Sequence, residues 1–349
     1  MIFLAFLFSQ SLLNSRELPA PLDLTPEIRA ELQNKFGHVR DSKVLLQDLI
    51  SFIFDADRLN LHYGDGGTLT AAQTFRARSA NCMSFTNLFI ALARERGLRA
   101  YYKEVIDFST YDRAGELVRH NRHMIAAVLL DGRIFDFDFE PGRAKRYKRT
   151  RLVSDERGFA HFYNNLGAEA FAAGDESRAR LLFEHALALD GNFVPAQINL
   201  GLFFRRNEQP DKAIALYRSA LKRQPRNFSA LANLTRLYQE TGREQEAEQV
   251  FSSMRSIFNR NPYFHFQMGD WAMLAGRFEE ARGHFRRAVD LGYREPLFHH
   301  GLARAAHALG EEQDARRHLA EAASLARLPE LKDRYASKLE LLASLRSRP

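Results

Sequence analysis

The chain has 349 residues, 45% of them hydrophobic, with 50 Lys and Arg against 43 Asp and Glu and a formal charge of +7. That length predicts two or more domains, and 28 phenylalanines supply sizeable cores. Residues 160–349 carry 27 basic and 23 acidic residues, so four of the seven surplus charges lie there. A surplus spread so evenly lacks the clustered stripe of a nucleic-acid binder, and no nucleic-acid partner is expected.

In chain order, Ile2 to Phe8 is an apolar run followed by Ser9-Gln10-Ser11. It is too short to span a bilayer, and no later segment is long and apolar enough, so no integral membrane segment is expected. Residues 1–24 read as a signal or leader. If residues 1–13 are a signal remnant the protein is periplasmic or secreted; otherwise it is cytoplasmic. Val44 to Phe54 has helical spacing through Leu45, Leu46, Leu49, Ile50, Ile53 and Phe54. Tyr63-Gly64-Asp65-Gly66-Gly67 is a loop, without the Gly-Lys-Ser or Gly-Lys-Thr of a phosphate cradle.

Cys82 is the single cysteine, so no intrachain disulfide is available. Ser79 and Asn81 suit an N-cap, and Phe85, Leu88, Phe89, Leu92 and Ala93 recur on one helical face. Cys82 then falls in the first turn, where the helix dipole and free N–H groups favour a thiolate. The competing reading is a buried cysteine packed as a small hydrophobe. Met124 to Leu130 reads as a strand, Asp131-Gly132 as a tight turn and Arg133 to Phe139 as its partner. A two-residue turn pairs Leu130 with Arg133 and Ala127 with Asp136. His123 then shares a face with Asp136 and Asp138, and His120 takes the other face. A thiol, an imidazole and an orienting carboxylate are the parts of a nucleophilic triad. The cluster Arg143, Lys145, Arg146, Lys148, Arg149 and Arg151 reads as a solvated connector, or as a surface for an acidic partner.

These residues, within the strings SANCMSFTNLFIALARERGLRA and NRHMIAAVLLDGRIFDFDF, resemble the transglutaminase-like fold of papain-like cysteine enzymes. The resemblance implies an α+β papain-like domain at 25–150, with Cys82 as nucleophile, His123 as general base and Asp136 as third member, Asp138 being the alternative. It implies acyl transfer on a peptide or protein amide, with water (protease or amidase) or an amine (transglutaminase) as acceptor. No cysteine or histidine cluster has metal-ligand spacing, and neither metal nor cofactor is expected.

The second half repeats every 34 residues. Ala179, Ala213, Ala247, Ala281 and Ala315 keep register with Phe183, Tyr217, Phe251, Phe285 and Leu319, and with Ala186, Ala220, Met254, Ala288 and Ala322. Gly167, Gly201, Thr235, Gly269 and Ala303 supply a small residue in each period, where helices approach closely. Gly174, Gly242, Gly276 and Gly310 mark the turn inside each unit, whereas Glu208 stands there in the second and predicts a turn built differently. This pattern resembles the tetratricopeptide repeat, over five units covering 160–329. Residues 330–349 follow as a C-terminal capping helix, through Leu331, Tyr335, Leu339, Leu342 and Leu345. The resemblance implies an all-α solenoid whose first helices line a groove for a protein or peptide. By repeat position Asn164, Arg205, Arg236, Tyr263, Phe266, His300 and Arg304 line it, with the arginines placed to hold carboxylates. The main expectation is therefore a cysteine enzyme with a repeat domain that binds partner or substrate. The alternative is a non-catalytic protein-binding adaptor.

Overall fold

The computed structural model describes residues 18–64, 66–114, 117–138, 147, 149–291, 294–326 and 329–344, without the side chains of 107–114, 117–123, 329–331 and 340–344. Residues 1–17 of the expected leader lie outside the described residues, as do Arg143, Lys145, Arg146 and Lys148 of the basic cluster. The chain forms two compact units, Met1–Ala247 and Glu248–Pro349.

The first unit begins with α1 (Pro26–Phe36) and α2 (Ser42–Phe54). Asp41 caps α2 by accepting hydrogen bonds from the Lys43 and Val44 amides, which satisfies donors that a helix start leaves free. Strands β1 (His62–Tyr63) and β2 (Ser79–Ala80) pair in parallel around α3 (Ala71–Ala77). Helix α4 (Cys82–Glu95) is buried continuously from Met83 to Ala93, which explains why its apolar pattern runs all the way round.

Four antiparallel strands follow, β3 (Arg99–Ala114), β4 (Leu117–Leu130), β5 (Arg133–Phe137) and β6 (Thr150–Val153), in sheet order β5-β4-β3-β6. The hairpin register is the one the two-residue turn predicts, with Leu130 opposite Arg133 and Ala127 opposite Asp136. Asp131 and Gly132 both take positive φ, 49° and 74°, the geometry that fits the right-handed strand twist.

The sheet does not stand apart from the helices that follow. Glu104 on β3 is fully buried and accepts hydrogen bonds from Arg157 Nε at 2.8 Å and Arg151 Nη2 at 2.6 Å. Its Oε1 also lies 2.7 Å from His161 Nε2. Arg157 and His161 belong to α5 (Asp155–Ala172), the first helix of the repeats. Burial opposes ionisation of Glu104, but the His161 contact and Arg157 outweigh it and hold the carboxyl well below its usual range. One turn along, Gly158 lies so close to the Tyr102 ring that a Cβ there would come within 2.4 Å of it. The expected separate α+β domain ahead of a solenoid is therefore corrected. The strands fold onto the first repeat helix and share one compact unit with the repeats up to Ala247.

From Asp155 onward the described chain is all helix. The pairs are α5 with α6 (Glu176–Leu189) and α7 (Val194–Arg206) with α8 (Pro210–Arg223), and α9 (Phe228–Glu240) and α10 (Glu244–Phe258) follow in the chain. In the second unit, α11 (Pro262–Leu274) pairs with α12 (Phe278–Asp290), and α13 (Pro296–Ala308) with α14 (Glu312–Leu325), followed by α15 (Pro329–Ser344). The periodic residues form the cores: Ala179, Phe183, Ala213, Tyr217, Ala281, Phe285 and Ala315 are all at most 1% exposed. A Cβ on Gly201 would sit 2.6 Å from the Tyr217 ring, and one on Gly269 2.5 Å from Phe285, so the small residue is dictated by the aromatic opposite it. The turn in the second repeat is not built differently. Glu208 takes φ of 53°, and the next amide bonds back to Phe204 O at 2.9 Å, the pattern of Asp175 to Ala170 O in the first repeat.

Candidate functional site

Cys82 opens α4, and Asn81 caps it by accepting from the Ser84 amide at 2.9 Å. The thiol is half-buried, and the Cys82 carbonyl accepts from Thr86 Oγ1 at 2.8 Å. Up to this point the local geometry is the predicted one. The carboxylate is not. Phe137 on β5 stacks on Phe89 of α4 with ring centroids 4.5 Å apart, and Tyr102 on β3 reaches Asn87 of α4 at 2.7 Å. That sheet face therefore belongs to α4. Neighbouring strand residues point to opposite faces, so Asp136 and Lys103 lie on the far side. There Lys103 Nζ donates to both Asp136 oxygens at 2.7 Å.

Asp136 is thus turned away from the cysteine-bearing helix and neutralised by a lysine. Asp138, past the end of β5, accepts a hydrogen bond from the Tyr147 hydroxyl. The side chain of His123 lies outside the described residues. In the predicted triad of Cys82, His123 and Asp136, with Asp138 as its alternative, this geometry corrects the place of Asp136, which lies on the sheet face away from the helix that bears Cys82. Among the described residues, no group of three or more His, Cys, Asp or Glu side chains is placed to hold a metal.

The residues read as lining the groove are joined from one first helix to the next by polar contacts. In the first unit Asn199 Nδ2 donates to Asn164 Oδ1 at 2.9 Å. Arg205 donates from Nε and Nη2 to the two oxygens of Glu240 at 2.7 and 2.9 Å, and Arg236 Nε adds 3.0 Å to the same carboxylate. Burial disfavours the charge on Glu240, but the two guanidinium groups win and lower its pKa. In the second unit Arg304 Nη1 meets Asp270 Oδ1 at 2.6 Å. Each contact spans 34 or 35 residues, one repeat, so within each unit it ties one first helix to the next.

This changes the reading of several residues. The arginines are not bare receptors for a ligand carboxylate, because Glu240 and Asp270 already occupy them. Phe266, 5% exposed, is a core residue packed with Phe285 and Phe298 rather than a groove contact. Asn164 is buried as well. Tyr263 is half-buried against Phe298, and His300 takes a hydrogen bond with Lys338 Nζ at 2.8 Å and packs on Tyr335 of α15. The sequence reading missed Glu240 and Asp270. Their spacing from Arg205 and Arg304, 35 and 34 residues, is the signal that pairs them.

Comparison with known proteins agrees with the repeats. Two family models, each described as tetratricopeptide repeat, match residues 204–265 and 266–329. The chain is 27% identical over 118 residues to anaphase-promoting complex subunit 6 of Arabidopsis thaliana, covering 34% of this chain and 22% of that protein. It is 26% identical over 131 residues to photosystem I assembly protein Ycf3 of Synechococcus sp. (strain CC9605), covering 34% and 76%. It therefore spans less than a quarter of the first relative's length and about three quarters of the second's. Among solved structures, a thermophilic tetratricopeptide-repeat protein of Thermus thermophilus superposes with a TM-score of 0.42 at 23% identity, over 52% of this chain and 98% of that one. PilF of Pseudomonas aeruginosa gives 0.39 at 19%, over 54% and 94%.

The transglutaminase-like assignment, the papain-like fold and the cysteine enzyme are corrected together. What residues 204–329 match is a helical repeat, and among the described residues Asp136 is turned away from the helix that bears Cys82. No helix among the described residues is long and apolar enough to cross a membrane, and residues 204–329 are similar to tetratricopeptide repeats.

Proposed function

We propose that this protein is a non-catalytic adaptor that holds an extended segment of a partner protein along the first helices of its repeats. The observation that carries the reading is the set of contacts one repeat apart, Asn164 with Asn199, Arg205 with Glu240 and Asp270 with Arg304. These fix neighbouring first helices against each other and leave their half-exposed side chains in a set pattern. A surface held in advance loses little freedom on binding, which favours affinity. The names of the relatives, an assembly protein and a subunit of a complex, support a role in bringing proteins together. Because Arg205 and Arg304 are already paired, recognition rests on shape and polar contacts beside them, with Arg236 in the first unit and Tyr263 in the second.

The test is selection of binding peptides from a random displayed library by the full chain, followed by titration of the selected peptide. Arg236→Ala in the first unit or Tyr263→Ser in the second should weaken that peptide at least tenfold while helical content by circular dichroism stays unchanged. Undiminished binding in both variants overturns the placement of the site, and failure to select any peptide overturns the adaptor reading.

A further inference from the structure

The last two repeats share a device that the earlier ones lack. His265 on α11 faces His284 on α12, with Nδ1 atoms 3.4 Å apart and ring centroids at 5.7 Å. One repeat later, His299 on α13 faces His318 on α14, with Nδ1 atoms at 3.5 Å and centroids at 5.7 Å. Both members move by 34 positions, so the pair is a repeated feature and not a coincidence of one turn. At the same two positions the earlier repeats carry Tyr163 and Leu182, Gln197 and Leu216, and Leu231 and Val250. None of those titrates near neutral pH.

The proton count of the pair follows from its neighbours. His265 Nε2 lies 2.8 Å from the Asn259 carbonyl, an acceptor only, so that nitrogen carries the proton. A neutral imidazole has one N–H, so His265 Nδ1 is the acceptor and His284 Nδ1 the donor. One shared proton thus joins the two helices of the repeat. A first added proton goes to His284 Nε2 and keeps that bond; a second has only His265 Nδ1 to take it, where it replaces the hydrogen bond with two facing N–H groups and two like charges.

We propose that the His265–His284 and His299–His318 pairs are acid-sensitive latches, which hold the helices of the last two repeats together until both rings of a pair are protonated and then release them. The groups around them favour the neutral state. His284 has Arg277 and Glu280 on and beside its own helix and Arg255 from α10. His299 has Arg294 and, from α14, Glu321. His318 has Asp314 and Arg317 on its own helix and Arg286 from α12. Arginines outnumber carboxylates five to three around the pairs. Burial first, and then mostly positive neighbours, lower the pKa of His284, and the same holds for His318; burial lowers that of His299. A histidine whose pKa is lowered by folding leaves stability intact above its unfolded value, about 6.5, and removes it as pH falls below.

Trp271 is the single tryptophan and sits in α11, so its emission reports this region in the full chain. Urea unfolding followed by Trp271 at pH 7.5 and pH 5.5 should show the unfolding constant rising on the order of tenfold per pair at the lower pH. With His265→Gln, His284→Gln, His299→Gln and His318→Gln combined, most of that rise should vanish. An equal rise in the variant overturns the proposal. Should the variant not fold, NMR titration of the imidazoles in the unaltered chain decides instead. Midpoints below the ordinary histidine value for His284, His299 and His318 support the latch, and midpoints at or above it refute it.

Discussion

The strand-bearing segment, from Pro26 to Val153, and the repeats, from Asp155 on, bury their apolar residues by opposite strategies. The repeats use a few positions over and over. An alanine, an aromatic and a glycine fill one interhelical gap, as with Ala213, Tyr217 and Gly201, and a later period does it again with Ala281, Phe285 and Gly269. The strand-bearing segment is built once, around a helix buried along nearly its whole length and a sheet whose two faces have different neighbours. In the first strategy, position within the period is enough to place a residue. In the second, the face of a strand decides what a residue meets, and a shift of one residue exchanges the faces.

The two regions meet at Glu104, and altering it is the largest way to break the comparison. Glu104→Ala leaves Arg157, only 13% exposed, without its buried carboxylate. Removing one partner of such a pair costs about 3–5 kcal/mol, measured as a fall in the urea midpoint of the full chain. Its pH dependence has a defined sign. A carboxyl held below its usual range contributes stability above the unfolded value, about 4.3, and loses it as pH falls. The wild type should therefore lose more stability than Glu104→Ala between pH 6 and pH 3.

Within the repeats, Gly201→Ala should destabilise by about 1–3 kcal/mol, because its Cβ would meet the ring of fully buried Tyr217. Gly242→Ala, with open space beside it but φ of 70°, separates strain from crowding. It should cost about 1 kcal/mol. The smallest stability effect has the opposite sign. Glu208→Gly should stabilise by up to about 1 kcal/mol in thermal unfolding, since it relieves a side chain held in the left-handed region. No stability change at Glu208 would mean that the turn gains from the side chain what it loses in strain.

The sequence was most informative where physics is local or periodic. The cap at Asn81, the Asp131-Gly132 turn, the hairpin register and the burial of the 34-residue positions each depend on a few neighbours. The triad depended on which face of the sheet receives α4, and that was fixed by Phe89 against Phe137 and by Tyr102 against Asn87. Neither contact is visible from spacing. The groove arginines failed for a related reason. Repeat position places Arg205 and Arg304 on first helices, but not the carboxylates that meet them from a neighbouring first helix. The histidine pairs are legible in the sequence, because both members recur at the repeat period.

The central claim is that partner binding belongs to the first helices of the repeats and not to the surroundings of Cys82. Hydrogen exchange of the full chain, with and without a library-selected peptide, tests it directly. Protection should gather on exposed and fraying amides of the first helices of a unit, α7 and α9 or α11 and α13, and Cys82→Ala should leave the pattern unchanged. Protection confined to residues 79–85, abolished by Cys82→Ala while the repeat helices stay as they were, would contradict the account.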